Sequence, residues 1–404
     1  MNKKLVAVAV AGLLAAPLAA QAQTANVTLY GRLNLTMEAV SGSQAQSAIN
    51  GSTTAVNRTL YRVSSNSSRL GVRGSEALGG GLSAIFQIES NVSADTGGGL
   101  LGTRETFVGL QGSWGTVKIG NFLAPYDDIH PIFGNVPTLT TSILSTATLW
   151  AQGSQNLSNG GFDNRLGNSI RYDSPRVGGF LGSIQVSTVD AGLGQGGVAG
   201  ITDQGQLTAA SQRHAYILST GGFYANGPFQ AGIAYEAHNK VRGPGLSDWA
   251  FSVAANWNFG VVKIGGVYER LDYDASYGAA NLALGGNITR NFWAISATAP
   301  IGPGELYAQY GNAGDGSSQC KVVVPGAQCV QANRIGQLAS GGGSGASNWS
   351  LSYTYALSKR TLSYVGVVQT LNDSNANYNF NINPFPVAND ANASGFVVGV
   401  VHFF

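Results

Sequence analysis

All-β is the fold class this sequence predicts, and three observations predict it. Apolar and polar residues alternate with a period of two, the composition is hostile to helices, and short and long connections take turns. Gly supplies 57 of the 404 residues, and each Gly costs a helix interior about 1 kcal/mol relative to Ala. The 20 acidic and 22 basic residues make up 10% of the chain, well under the roughly 25% of soluble domains. That balance, with no basic tract, excludes a nucleic-acid binder. Hydrophobic residues at 44% and aromatics at 9%, spread along the chain, exclude disorder. Two Cys without a CxxC pair exclude a zinc ribbon or a disulfide-built scaffold.

The N-terminus carries its own signal. Lys3 and Lys4 precede an apolar run from Leu5 to Leu14, then Pro17, then Ala20-Gln21-Ala22. This is the charged, apolar and A-x-A order of a secretory signal peptide, and the run is shorter than the ~20 residues a spanning helix needs. Residues 1–22 are therefore expected to be a cleaved signal peptide, and 23–404 a single barrel domain with 20 basic and 20 acidic residues.

The first mature segment alternates over about twelve residues. Val27, Leu29, Leu33, Leu35 and Met37 share one face, with Thr28, Tyr30, Arg32, Asn34, Thr36 and Glu38 on the other. Phe229, Ala231, Ile233 and Tyr235 repeat the pattern, as do Leu306, Ala308 and Tyr310, and near the end Leu362, Tyr364 and Val368. Seven short Gly/Pro/Asn/Ser turns, from Leu78–Gly81 to Ser358–Lys359, separate eight long polar stretches at 40–57, 91–103, 121–164, 190–211, 239–247, 273–287, 312–346 and 372–392. Fifteen connections join sixteen strands. An even strand number with short turns at one rim and long loops at the other is the pattern of an antiparallel transmembrane β-barrel. A secreted sandwich of this length would carry charged outer faces. Here the polar faces hold Gly, Thr, Gln and isolated charges, as a wet interior would. Phe180, Phe223, Tyr224, Trp257, Phe259, Phe292, Trp293, Tyr353 and Tyr355 cluster beside the short turns and read as an interfacial belt. The final strand ends on Phe404 and is expected to close against the first.

Several stretches together resemble one family: SRLGVRGSEALGGGLSAIFQIES from Ser68, RETFVGLQGSWGTVKIGN from Arg104, NSIRYDSP from Asn168, YALSKRT from Tyr355, and the terminal Phe404. Spread over the whole mature chain in order, they resemble a Gram-negative general diffusion porin of the betaproteobacterial type. The resemblance implies a homotrimer in the outer membrane, installed among its lipids by the barrel assembly machinery, with Phe404 as the assembly signal. It implies passive passage of small hydrophilic solutes and inorganic anions, no cofactor, and a third loop that folds into the lumen and narrows it.

By the same resemblance the basic side of the constriction is Arg69, Arg104 and Arg165, with Arg32, Arg73 and Arg171 as further lumen charges. Alternation agrees for Arg69, which shares parity with Gly71 and Arg73, and for Arg165, which shares it with Gly167, Ser169 and Arg171. Arg104 shares parity with Val108 and Leu110, so alternation aims it outward. The third loop carries Asp127 and Asp128 and then Pro131, Ile132, Phe133 and Gly134 where the family has Pro-Glu-Phe-Gly. Ile132 in place of glutamate leaves the expected charge balance positive, and a positive constriction concentrates anions.

Other signals carry less. GLGQGG from Gly192 fits GxGxxG but has no strand–helix context. The four His show no metal-ligand spacing, so no metal is expected. His130 stands in the third loop, where titration near pH 6.5 would modulate the pore, although a loop histidine without a gating role is the ordinary case. Cys320 and Cys329, nine residues apart in an outer loop, suit a disulfide in an oxidising compartment. Two alternatives remain: a substrate-specific channel, for which Tyr30, Tyr172 and Tyr307 form no obvious track, and a barrel enzyme, for which no GxSxG nucleophile motif is present.

Overall fold

The computed structural model describes residues 26–43, 59–134, 141–145, 147, 149–152, 160–188, 215–242, 246–276, 284–322, 334–335, 338–339, 341–384, 387 and 389–404. Most of them belong to one antiparallel sheet. In chain order its strands are β1 (Asn26–Gly42), β2 (Thr59–Ser65 continued by Arg69–Gly79), β3 (Leu82–Asn91), β4 (Thr106–Gly112), β5 (Gly115–Leu123), β6 (Arg165–Asp173), β7 (Phe180–Thr188) and β8 (Tyr216–Asn226). There follow β9 (Phe229–Asn239), β10 (Ser247–Asn258), β11 (Lys263–Ser276), β12 (Leu284–Ile301), β13 (Gly304–Ala313 continued by Ser317–Val322), β14 (Ala346–Ala356), β15 (Thr361–Asn372) and β16 (Ala393–Phe403). Both halves of β2 pair with β1, and both halves of β13 pair with β12, so eighteen hydrogen-bonded segments make sixteen barrel strands.

Each strand pairs with its chain neighbours, and β1 closes on β16 from Arg32↔Phe403 to Gly42↔Ala393. Phe404 completes the seam: Gly31 N–H donates to its carbonyl at 3.0 Å, and its own N–H returns to Gly31 at 3.1 Å. A Cβ on Gly31 would stand 2.5 Å from the Phe404 ring, so the glycine makes room for that ring at the closure. No helix among the described residues is long and apolar enough to cross a membrane; the crossing elements are strands.

Alternation sorts the side chains into two environments. Along β1, Val27, Leu29, Leu33 and Met37 are exposed, while Arg32, Asn34, Thr36 and Glu38 are buried. In β9, Ile233 and Tyr235 are exposed and Ala234 and Glu236 buried. In a closed sheet the covered polar set is the inner one, and the exposed apolar set forms the outer band that meets lipid. Neighbouring rings at the short-turn end include Phe180–Tyr224 at 4.5 Å and Phe229–Trp257 at 5.7 Å.

The structure corrects several expectations. Strands run into stretches expected as loops, at 40–42, 273–276, 284–287 and 317–322, and a small hairpin pairs Arg334–Ile335 with Leu338–Ala339. Phe292 is fully buried inside, and Phe223 packs on the same inner cluster, so neither belongs to an outer belt. Tyr364 and Val368 also point inward. The reason is common to all: described parts of the 124–164 segment cover this part of the inner wall, and a covered wall tolerates apolar residues on both faces. Residues 1–22, the 192–197 glycines and Cys329 lie outside the described residues, and only the backbone of Cys320 is described.

Ile233 lies at the middle of β9 and is half exposed on the outer face. Ile233→Arg is expected to lower folding stability in lipid vesicles by about 2–4 kcal/mol, the penalty of a cation at mid-membrane depth. Urea titration of the reconstituted barrel measures it, and an unchanged midpoint would mean that this face does not meet hydrocarbon.

Candidate functional site: an arginine wall facing a loop

The segment between β5 and β6 enters through a 3-10 turn (Asp127–Ile129) and a short helix α1 (His130–Phe133), and passes a second 3-10 turn at Trp150–Gln152. Its described residues are tied to one inner face of many strands. Tyr126 N–H donates to Ser219 Oγ of β8 at 3.2 Å, Asn256 of β10 donates to the Ile132 carbonyl at 2.6 Å, and Ser296 of β12 donates to the Phe133 carbonyl at 2.9 Å. Gln309 of β13 and Ser350 of β14 both donate to the Leu144 carbonyl, at 2.9 and 3.2 Å. The apolar contacts are as wide: Tyr126, Ile129, Phe133, Trp150 and Phe162 share a core with Ile217, Leu271 and Phe292, while Ile143 and Leu144 share another with Val40, Tyr364 and Val368.

A buried carboxylate is the main fastening. Glu269 of β11 accepts from Tyr126 Oη at 2.6 Å and from the Ala151 N–H at 2.9 Å, and faces Arg290 Nη2 of β12 at 3.4 Å. Arg290 in turn donates to Tyr378 Oη at 2.9 Å and to the Leu149 carbonyl. Ala151 has φ +58°, a left-handed conformation unusual for a residue with a side chain, and the carboxylate captures the N–H which that conformation turns toward it.

This packing leaves open the sector from β1 to β6. A cavity of about 700 Å³ lies there, lined by Arg32, Arg69, Arg104 and Arg165 on the wall and by Asp127, Asp128, His130, Pro131 and Asp163 across from it. All three expected basic residues therefore meet in one place. Arg104 reaches it by a route alternation does not foresee. Its N–H donates to the Glu89 carbonyl at 2.9 Å while Glu89 N–H donates to the Glu105 carbonyl at 2.9 Å. Two residues thus oppose one, and such a bulge reverses parity ahead of β4. A second irregularity separates Ser169 from Leu166, where the pairing with β5 slips and Asn168 takes φ +49°. Leu166 is consequently buried in the inner core, so the alternation drawn from Gly167 and Ser169 does not extend back to Arg165.

The arginines outnumber the acids that hold them. Glu89 accepts from Arg104 Nε at 2.5 Å, and its Oε1 stands 3.7 Å from Arg69 Nη1. Glu105 accepts from Arg165 Nε at 3.0 Å. Arg32 Nε donates to the Ser67 carbonyl at 3.2 Å, and its Nη2 has no partner among the described residues. Four guanidinium groups thus share two carboxylates. Burial, then the charges of Arg165 and Arg69, lower the Arg104 pKa from its ordinary value.

The loop side is weakly negative. Asp128 is bound by Arg171, which also holds Asp173 at 2.8 Å. Burial, then the charge of Asp163, pushes the Asp127 carboxyl well above the usual carboxylate range, and burial raises Asp163. Burial lowers the His130 pKa from its ordinary value, against the raising effect of Asp127. Ile132 and Phe133 do not line this cavity; any side chain at Gly232 would meet Ile132 Cδ1 at 2.6 Å, and Gly134 ends the helix in extended conformation. Arg73 is exposed with its guanidinium 4.9 Å from the Tyr30 ring centre. Tyr172 is outward and stacked on Trp114, so it forms no track with the inward Tyr30 and Tyr307. Sequence reasoning missed Glu89, Glu105 and Asp163; only Glu89, inward by the same parity as Gln87 opposite Arg73, had a readable signal.

A closed sixteen-stranded barrel with a charged, loop-faced cavity narrows the comparison with known proteins. The sequence model of Gram-negative porins matches residues 7–376. The chain belongs to the Gram-negative porin family. This porin is 31% identical over 327 residues to outer membrane porin protein 32 of Delftia acidovorans, covering 77% of this chain and 79% of the relative. It is 33% identical over 202 residues to the major outer membrane protein P.IA of Neisseria meningitidis serogroup B, 46% of each chain. Among solved structures, the anion-selective porin from Comamonas acidovorans superposes with a TM-score of 0.66 at 23% identity, covering 94% of this chain and 100% of that one. OmpT of Vibrio cholerae gives 0.62 at 12% identity, covering 94% and 98%. The porin resides in the outer membrane, where its barrel is a diffusion pore.

Glu269 and Arg290 are both fully buried, and removing one partner of such a pair destabilises by about 3–5 kcal/mol. Glu269→Ala is expected to loosen the 124–164 segment. That segment holds no Lys or Arg but does hold Tyr126, Phe133, Trp150 and Phe162, so chymotrypsin is the suitable probe. Cleavage there in the variant and resistance in the parent is the expected result; equal resistance would remove Glu269 as the fastening.

Proposed function

We propose that this porin is a general diffusion channel with a preference for anions, and that its narrowest point lies between the arginine wall and the third loop. One observation carries the reading: the four arginines around the cavity are ion-paired with only two carboxylates, and Asp95, which also lines it, makes no ion pair with them among the described residues. Across the cavity, Asp128 is already bound by Arg171, and the carboxyls of Asp127 and Asp163 resist ionisation. Fixed cations in a narrow passage between low-dielectric walls raise the local anion concentration. The Debye length of ~8 Å at physiological salt is comparable to such a passage, so selectivity weakens as salt rises. The anion-selective porin from Comamonas acidovorans has the same fold, which supports the reading. By the family resemblance the working unit is a homotrimer in outer-membrane lipid, delivered by the barrel assembly machinery through Phe404; a trimer form is described for OmpT of Vibrio cholerae.

Zero-current reversal potential across a salt gradient in a planar bilayer tests this directly. An anion-favouring potential with large stepwise conductance is expected, and a cation-favouring potential would overturn the constriction map. Arg165→Glu and Arg69→Glu should each move the potential toward cations. No movement in Arg165→Glu would take that residue out of the pore, and no conductance in the parent would remove the channel reading altogether.

A further inference from the structure

Asp127, His130 and Asp163 stand apart from the ion pairs of the arginine wall, and they bring two carboxylates and an imidazole to one point of the cavity. Asp127 and His130 lie three residues apart across the junction of the first 3-10 turn and α1, a spacing that puts both on one face. Asp163 arrives from the other limb of the segment, just ahead of β6. Their donor atoms all fall within 4.8 Å of one another. His130 Nδ1 is 3.5 Å from Asp127 Oδ1 and 4.0 Å from Asp163 Oδ2. The His130 side chain is 3% exposed, and neither ring nitrogen has a hydrogen-bond partner among the described residues. The Trp150 ring, 4.0 Å away between centres, fixes the imidazole plane. A buried imidazole with both nitrogens unpartnered calls for an explanation.

We propose that this cluster is a binding site for a divalent transition-metal ion, zinc in preference, held by His130 Nδ1 and the carboxylates of Asp127 and Asp163 and completed by water from the cavity. A tetrahedral ion with bonds of ~2.0–2.1 Å sets its donors roughly 3.3 Å apart, a small contraction from the spacing present. Calcium and magnesium prefer all-oxygen donor sets, whereas an imidazole beside two carboxylates suits zinc. The charges nearest the cluster are already paired. Arg165 faces the site but is held by Glu105 at 3.0 Å, Glu236 is 2.8 Å from His238, Glu269 is paired with Arg290, and Asp128 with Arg171. The two ligating carboxyls have no guanidinium ion pair of their own among the described residues. On binding, the hydrated ion exchanges water for three protein donors, each in its deprotonated form. The ion ties the entering limb of the segment, at Asp127 and His130, to its returning limb at Asp163.

Cobalt(II) chloride titrated into the purified, folded full-length barrel gives a visible absorption band when the ion enters a nitrogen–oxygen site. One equivalent per chain, displaced by zinc, is the expected result. His130→Gln and Asp163→Asn should each weaken the affinity by more than about tenfold, while His402→Gln, which removes an exposed histidine on β16, leaves it unchanged. No cobalt band, or equal affinity in both cluster variants, would overturn the proposal. Should the variants not fold, X-ray absorption of the zinc-loaded parent decides: a shell of one imidazole nitrogen with oxygens supports the site, and an all-oxygen or multi-imidazole shell refutes it. None of these readouts depends on conductance, so they stand or fall separately from the pore.

Discussion

The buried pair of Glu269 and Arg290 is the interaction on which the interior depends. A sixteen-stranded barrel is wider than its own side chains can fill, so the wall alone leaves an undivided lumen. Glu269 gathers Tyr126 and Ala151 from two distant points of the 124–164 segment, and Arg290 adds Leu149 and Tyr378. Two charges taken out of water cost several kcal/mol each unless mutually compensated. Here the compensation requires the segment to be in place, because its hydroxyl, amide and carbonyl bond the two charges. The wall and the segment therefore stabilise each other.

This fastening divides the interior into two halves with different physics. Under the segment, from β8 round to β16, the inner face is packed like a small protein core, with Trp150 against Phe292 and Leu144 against Gly366. From β1 to β6 the inner face borders the open cavity, and there Arg32, Arg69, Arg104 and Arg165 stand. Charge in the open half acts on whatever passes, and in the covered half it acts on stability.

Much of the barrel was legible because a closed sheet between lipid and water imposes two environments on alternate residues. Strand number, the order of short and long connections, and the inward face of Arg69 all follow from that constraint. The legibility ended where the constraint lapsed. Arg104 enters the cavity through a bulge, and Leu166 turns inward at a register slip beside Asn168; a rule of strict period two has no term for either. Phe292 and Tyr364 read as outward because the sequence does not announce which part of the wall a loop will cover. Asp127 and Asp163 sit on opposite limbs of one loop, and only its folded path brings them together. Ile132 marks the motif by resemblance, yet its side chain rests over Gly232 instead of lining the passage.

The seam between β1 and β16 has a consequence for how the molecule is made. Gly31 and Phe404 are joined by a circuit of nearly the whole chain, and contacts of such separation form late because loop-closure entropy opposes them. Every other strand can zip onto a neighbour that is close in sequence. Until the seam closes, the sheet has two long free edges, each able to pair with another copy and aggregate. Sealing is thus the step at which a sticky ribbon becomes a finished ring.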